Sequence, residues 1–154
     1  MIDLTIETRG ALKQIQVLTA DLNDALDPDE ILDQAASTML SRTLRRFRQK
    51  VTPDGRQWPE SHAAAIRRAG GYTMSGSPRR KATGGDTLFA TGDLFRSFKL
   101  IDDGQGQRRI INNAPYAVYV NGMNNGAYKF LGASEQDIQL FLNIVQNRIE
   151  KALK

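Results

Sequence analysis

The chain contains no cysteine and a single histidine, His62. Without cysteine there can be no disulfide bridge, no thiolate nucleophile and no cysteine-ligated zinc or iron site. One histidine cannot form half of a histidine pair at a metal, and His62, beside Glu60 at the start of a short predicted helix, is a poor general base. No apolar run approaches the ~18 residues of a membrane span, and the N-terminus lacks a basic-then-apolar signal pattern. The expectation is a soluble protein made in the cytoplasm, with no membrane contact. There is no G-x-x-x-x-G-K-[ST] phosphate loop, and Gly104-Gln105-Gly106 lacks both the third glycine and the strand-to-helix context. Asp54, Asp86, Asp93, Asp102 and Asp103 all fall in predicted turns, where Asp is favoured for local hydrogen bonding. Nothing here assembles an active site, so no catalytic residue, metal or cofactor is expected.

What is present is enough chain for one domain and an uneven distribution of charge. At 154 residues, a single domain can bury about two thirds of its unfolded surface without staples. The net charge of +4 divides into −6 over residues 1–41, +9 over 42–109 and +1 over 110–154. An acidic entry and a basic middle suit head-to-tail self-association, or contact with nucleic acid or an acidic protein; a merely solvated surface would look the same.

The alternation of Ile2, Leu4 and Ile6 with Asp3, Thr5 and Glu7 predicts a half-buried strand. Leu12, Ile15, Leu18 and Leu22 predict a helix over 11–25. Asp27 is a good N-cap, with Pro28 at the first helical position and Glu30 placed to close a capping box. The long helix so begun carries Leu32, Ala35, Ala36, Met39, Leu40, Leu44, Phe47 and Val51 on one broad face, with Arg42, Arg45 and Arg48 on the other. It is the expected spine of the fold. Pro53-Asp54-Gly55 then predicts a reverse turn, because proline presets φ, Asp can bond its own backbone and Gly tolerates positive φ. Trp58, the only tryptophan, is held extended by Pro59 and can be pressed back onto the helix it follows.

Ser61 can cap a short helix through Arg68. Residues 69–86 are rich in Gly and Ser, carry Arg79, Arg80 and Lys81 and show no periodicity, which predicts a long mobile basic loop. After a turn at Thr91-Gly92-Asp93 with Leu94 and Phe95 beyond it, the strand around Phe98 to Ile101 pairs across a glycine-containing loop with the strand Arg108 to Ile111. A helical turn at 116–120 and a further strand over 127–131 would extend the sheet. Ser134 caps the last helix with Asp137 reaching back. Its main stripe reads Ile138, Phe141, Leu142, Val145, Ile149 and Leu153, with Leu140 and Ile144 on the opposite side, facing either a second subunit or the helix over 11–25. The fold class is therefore α+β: a small antiparallel or mixed sheet against a long central helix and a C-terminal helix.

Four stretches carry a resemblance. Pro53-Asp54-Gly55-x-x-Trp58-Pro59, then Leu88-Phe89-Ala90-Thr91-Gly92-Asp93-Leu94-Phe95-Arg96-Ser97, then Tyr116-Ala117-Val118-Tyr119-Val120-Asn121-Gly122, then Phe130-Leu131-Gly132-x-Ser134-x-x-Asp137 occur in order. Together they resemble the phage virion morphogenesis, or tail completion, family, with its "P-D-G-x-x-W", "L-x-x-T-G-x-L-x-x-S", "Y-A-x-x-H-x-x-G" and "F-L-G-x-S-x-x-D" elements. The likeness spans roughly residues 30 to 154 and departs from the pattern at the histidine after "Y-A-x-x", where this chain has Tyr119-Val120-Asn121, and at the glycine, which falls one residue early at Gly122. Pro53, Asp54, Gly55, Trp58, Thr91, Gly92 and Leu94 are its structural-motif residues.

The resemblance implies a structural virion protein of the neck or tail, assembled in the bacterial host cytoplasm and acting in tail completion and head–tail joining. It implies a ring-forming homo-oligomer, often of six subunits, with tail tube or terminator proteins, head connector proteins and passing DNA as partners. Arg42, Arg45, Arg48, Arg79, Arg80, Lys81, Leu140 and Ile144 are the candidate contact residues. The competing reading is a non-specific nucleic-acid-binding module using the same helix face, with Arg46, and the basic loop. That would require phosphate contacts and steep salt dependence, and no recognition motif or aromatic stacking platform accompanies the charge.

Overall fold

A computed structural model describes residues 2–7, 27–68, 87–88, 91–104 and 106–152. The predicted helix over 11–25 and the basic loop over 69–86, with Arg79, Arg80 and Lys81, lie outside the described residues. The order of elements is β1 (Ile2–Glu7), α1 (Pro28–Gln49), α2 (His62–Arg68), α3 (Asp93–Arg96), β2 (Phe98–Gly104), β3 (Gln107–Asn112), α4 (Ala117–Gly126) and α5 (Glu135–Ala152). This is an α+β fold.

α1 starts where the cap chemistry puts it. The Asp27 carboxylate accepts the N–H of Asp29 at 2.9 Å and of Glu30 at 3.4 Å, with Pro28 at the first position. The Glu30 carboxylate accepts a hydrogen bond from Arg148 on α5. The helix ends at Lys50, whose left-handed φ of 58° lets Val51 N–H donate to the Arg46 carbonyl at 3.1 Å.

The sheet is wholly antiparallel in the order β1-β3-β2. Leu4 and Leu100 flank Ile110, and Ile2 and Phe98 flank Asn112. A bulge lies between Asp102 and Gly104. α1 packs on β2, β3 and α5, so Ile31, Leu32, Ala35, Ala36, Met39 and Phe47 are buried on its inner face.

Two expectations fail. Residues 127–131 form no strand, and among the described residues the sheet stops at three. The reason is that the N–H groups of Phe130 and Leu131 both donate to Asn121 Oδ1, at 3.0 Å each, and so do not join a ladder. The helical turn at 116–120 is also longer than expected. It continues as α4 to a kink at Met123 (ψ 143°), followed by left-handed Asn124 and Asn125.

The second failure concerns the face that α5 turns inward. Ile138 and Leu142, assigned to its core stripe, are 48 % and 46 % exposed, whereas Leu140 and Ile144, placed opposite, are half-buried. The inward position next to Ile138 is taken by Asp137, which is 2 % exposed. An apolar stripe drawn from periodicity could not anticipate a buried carboxylate just before its first residue.

Candidate functional site

The reverse turn is built by Thr52. Its N–H donates to the Arg56 carbonyl at 2.8 Å, Gly55 N–H donates to the Thr52 carbonyl at 2.9 Å, and Arg56 N–H donates to Thr52 Oγ1 at 2.9 Å. Gly55 takes φ +86°, which a side chain would strain. Asp54 lies exposed, and its hydrogen bonds to Thr52 and Arg56 hold its carboxyl below the usual range. The corner returns Trp58 to α1: its ring meets Phe47 edge-on at 5.1 Å, its N–H donates to the Lys50 carbonyl at 2.7 Å, and its indole N–H donates to the Lys129 carbonyl at 3.3 Å. Phe95, Phe98 and Phe130 surround Phe47 at 5.7–5.8 Å between ring centres.

The other motif residues arrive at the same core. Gly92 adopts φ +80° and turns the chain into α3, burying Leu94. Thr91 and Asp93 are exposed and bonded to each other at 2.5 Å, and Arg96 donates to both residues at 2.8 Å. Asn112, fully buried, donates to the Leu94 carbonyl at 2.7 Å and accepts Ala114 N–H at 3.1 Å, tying β3 to α3. Ala117 is buried in the core that holds Trp58, Leu94, Phe130 and Leu131. Gly132 lies so close to the first turn that an added Cβ would stand 3.2 Å from Pro53 and 3.0 Å from Lys129.

Asp137 completes the arrangement. Its oxygens accept Arg42 Nε and an Arg46 guanidinium nitrogen at 2.5 Å each, and Ser134 N–H and O–H at 2.9 Å. Burial alone would raise this carboxyl; the hydrogen bonds from Arg46, Ser134 and Arg42 outweigh it and bring the pKa from 3.8 down to about 2. Arg46 also donates to the Gly132 carbonyl at 3.2 Å and to Thr43 Oγ1 at 3.3 Å. The basic face of α1 is therefore divided. Arg42 and Arg46 are spent within the fold, while Arg45 and Arg48 are exposed, the latter 4.9 Å above the Phe95 ring.

A second buried cation was not anticipated. Arg108 of β3 reaches Asp33 at 2.6 Å, Asp102 at 2.8 Å and Asp29 at 3.4 Å, and chiefly the Asp33 bond raises its pKa. Asn112, Asn121, Asp137 and Arg108 are polar residues that each take at least one partner from another element or loop, Leu94, Phe130, Arg42 and Asp33 respectively. The only local signal for any of them was the capping box at Ser134.

Two surface features remain. A groove of about 430 Å³ runs between α2, α3 and α4, lined by Ala63, Leu88, Leu94, Val120 and Met123, with Tyr116 at its side. Tyr116 just before α4, and Val118, Tyr119 and Met123 along it, are exposed, Tyr119 to 79 %. Among the described residues no cluster of three or more His, Cys, Asp or Glu could hold a metal ion, and no helix is long and apolar enough to cross a membrane. His62 is exposed. Compared with protein-family models, curated protein sequences and solved structures, the chain matches none of them.

Proposed function

We propose that this protein is a structural subunit of a phage neck or tail, acting in tail completion and head–tail joining as a ring-forming homo-oligomer. The observation that carries the reading is the meeting of the four motif stretches. Trp58 bonds the chain just before Phe130, Pro53 lies against Gly132, Leu94 and Ala117 share one core with Trp58, Asn121 holds Phe130 and Leu131, and Asp137 fixes the last helix to α1. The stretches that carry the resemblance thus belong to one contact network, which is what supports the reading. In this reading the exposed arginines of α1 and the apolar surface of α4 are contact surfaces for neighbouring subunits, tail tube or terminator proteins and head connector proteins. The chain would function in the virion after assembly in the host cytoplasm. The nucleic-acid reading is weakened because Arg42 and Arg46 already serve Asp137.

The test is electron microscopy of lysates from a phage or prophage carrying a nonsense codon early in this gene. Separate filled heads and free tails are the expected result. Abnormally long tails would move the role to length termination, and intact infectious virions would overturn the structural reading in favour of nucleic-acid binding.

A further inference from the structure

Asparagine followed by glycine is the dipeptide in which a backbone nitrogen most easily attacks the preceding side chain, because glycine has no Cβ to obstruct the approach. The chain contains this pair twice, as Asn121-Gly122 and Asn125-Gly126. Both lie in α4, in opposite surroundings. Asn121 is in the regular part of the helix, half-buried, and its Oδ1 accepts two backbone N–H groups at 3.0 Å each. Closing a five-membered ring there requires Asn121 to leave helical geometry and release both bonds, so reaction must wait for local opening. Asn125 is exposed and already non-helical, at φ 55° and ψ 37° between left-handed Asn124 and Gly126. Ring closure there does not require regular helical geometry to be broken first.

We infer that Asn125 is a site of spontaneous covalent modification on this fold, and that Asn121 is protected from the same reaction by its clamp. The Gly126 nitrogen attacks Asn125 Cγ and loses its proton to solvent. The tetrahedral centre collapses with departure of ammonia, and the product is a succinimide. Water then adds to one of the two ring carbonyls and opens it, giving aspartate or an isoaspartyl linkage at the position. The balance is one amide and one water converted to one carboxylate and one ammonium, with no oxidation or reduction. Each event places a negative charge on the turn that leads from α4 to buried Tyr128 and Phe130. The isoaspartyl product also routes the main chain through the former side chain, adding a methylene to that turn.

The test holds native protein at mildly alkaline pH and follows the tryptic peptide spanning residues 110–129 by mass spectrometry. Fragment ions locate the change at Asn121 or Asn125, and enzymatic methylation identifies isoaspartate. The expected result is conversion at Asn125 roughly tenfold or more faster than at Asn121 in the folded protein, with the difference lost in urea, where both asparagines are free to rotate. Asn125→Gln abolishes the fast conversion. Equal rates at the two asparagines in the native protein, or an Asn125 that reacts only when unfolded, would overturn the proposal.

Discussion

Asp137 is almost completely removed from water, with two guanidinium groups on its oxygens, and that carboxylate decides how α5 lies on α1. Removing one partner of a buried ion pair leaves the other charge uncompensated, so Asp137→Asn should cost about 3–5 kcal/mol of stability. Its pKa is about 2 in the folded protein, below the ordinary value of 3.8. A depressed carboxyl contributes its full stability above the unfolded pKa and loses it as the pH falls toward the folded one. Urea unfolding should therefore show a large gap between wild type and Asp137→Asn near neutral pH that narrows by roughly 2 kcal/mol as the pH falls from 3.8 toward 2, the worth of the pKa shift. A gap that does not change with pH would mean that the side chain acts through packing and not through its charge.

At the scale of elements, local chemistry was legible and long-range pairing was not. Asp27 with Pro28, Ser61, Pro53-Asp54-Gly55 and Ser134 with Asp137 mark helix starts and a turn because their hydrogen bonds close within a few residues. The strand pair β2–β3 was legible for the same reason. Asn121 carried no such signal: its partners at Phe130 and Leu131 turn an apparent strand into a clamped loop. The rotation of α5 was hidden likewise, since it depends on arginines of α1 far away in sequence. The rotation splits the apolar stripe read from periodicity: Ile138 and Leu142 leave the core while Val145, of the same stripe, stays in it, so their substitutions should no longer cost alike. Ile138→Gln and Leu142→Gln, at half-exposed sites, should each change stability by no more than about 0.5 kcal/mol. Val145, at 5 % exposure, should lose about 2 kcal/mol on replacement by Ser. Chemical denaturation of the three variants orders them, and a costly Ile138→Gln would restore the stripe read from periodicity.

Across the whole molecule, α1 runs from Asp27, Asp29, Glu30 and Asp33 at one end, exposed but with Asp29 and Asp33 sharing Arg108 and Glu30 bonded to Arg148, to exposed Arg45 and Arg48 at the other. Opposite charge at the two ends of one element is what repeated head-to-tail contact between identical subunits can use. Reversing all of Arg42, Arg45 and Arg48 would not test this, because Arg42 holds Asp137 and its loss would disturb the fold first. The double variant Arg45→Glu, Arg48→Glu avoids that difficulty. Its folding cost is the Arg48–Phe95 contact, about 0.5–1 kcal/mol at an exposed site, and the favourable charge of Arg48 in the last turn of α1, about 0.3–1 kcal/mol. Under head-to-tail assembly, sedimentation velocity should show the double variant shifted toward monomer while its unfolding midpoint stays near that of wild type. Wild type should shift the same way at about 1 M salt, where the screening length falls to ~3 Å. Sedimentation unchanged by both the substitutions and the salt would remove the electrostatic contribution from the proposed ring and leave its contacts to the apolar surface of α4.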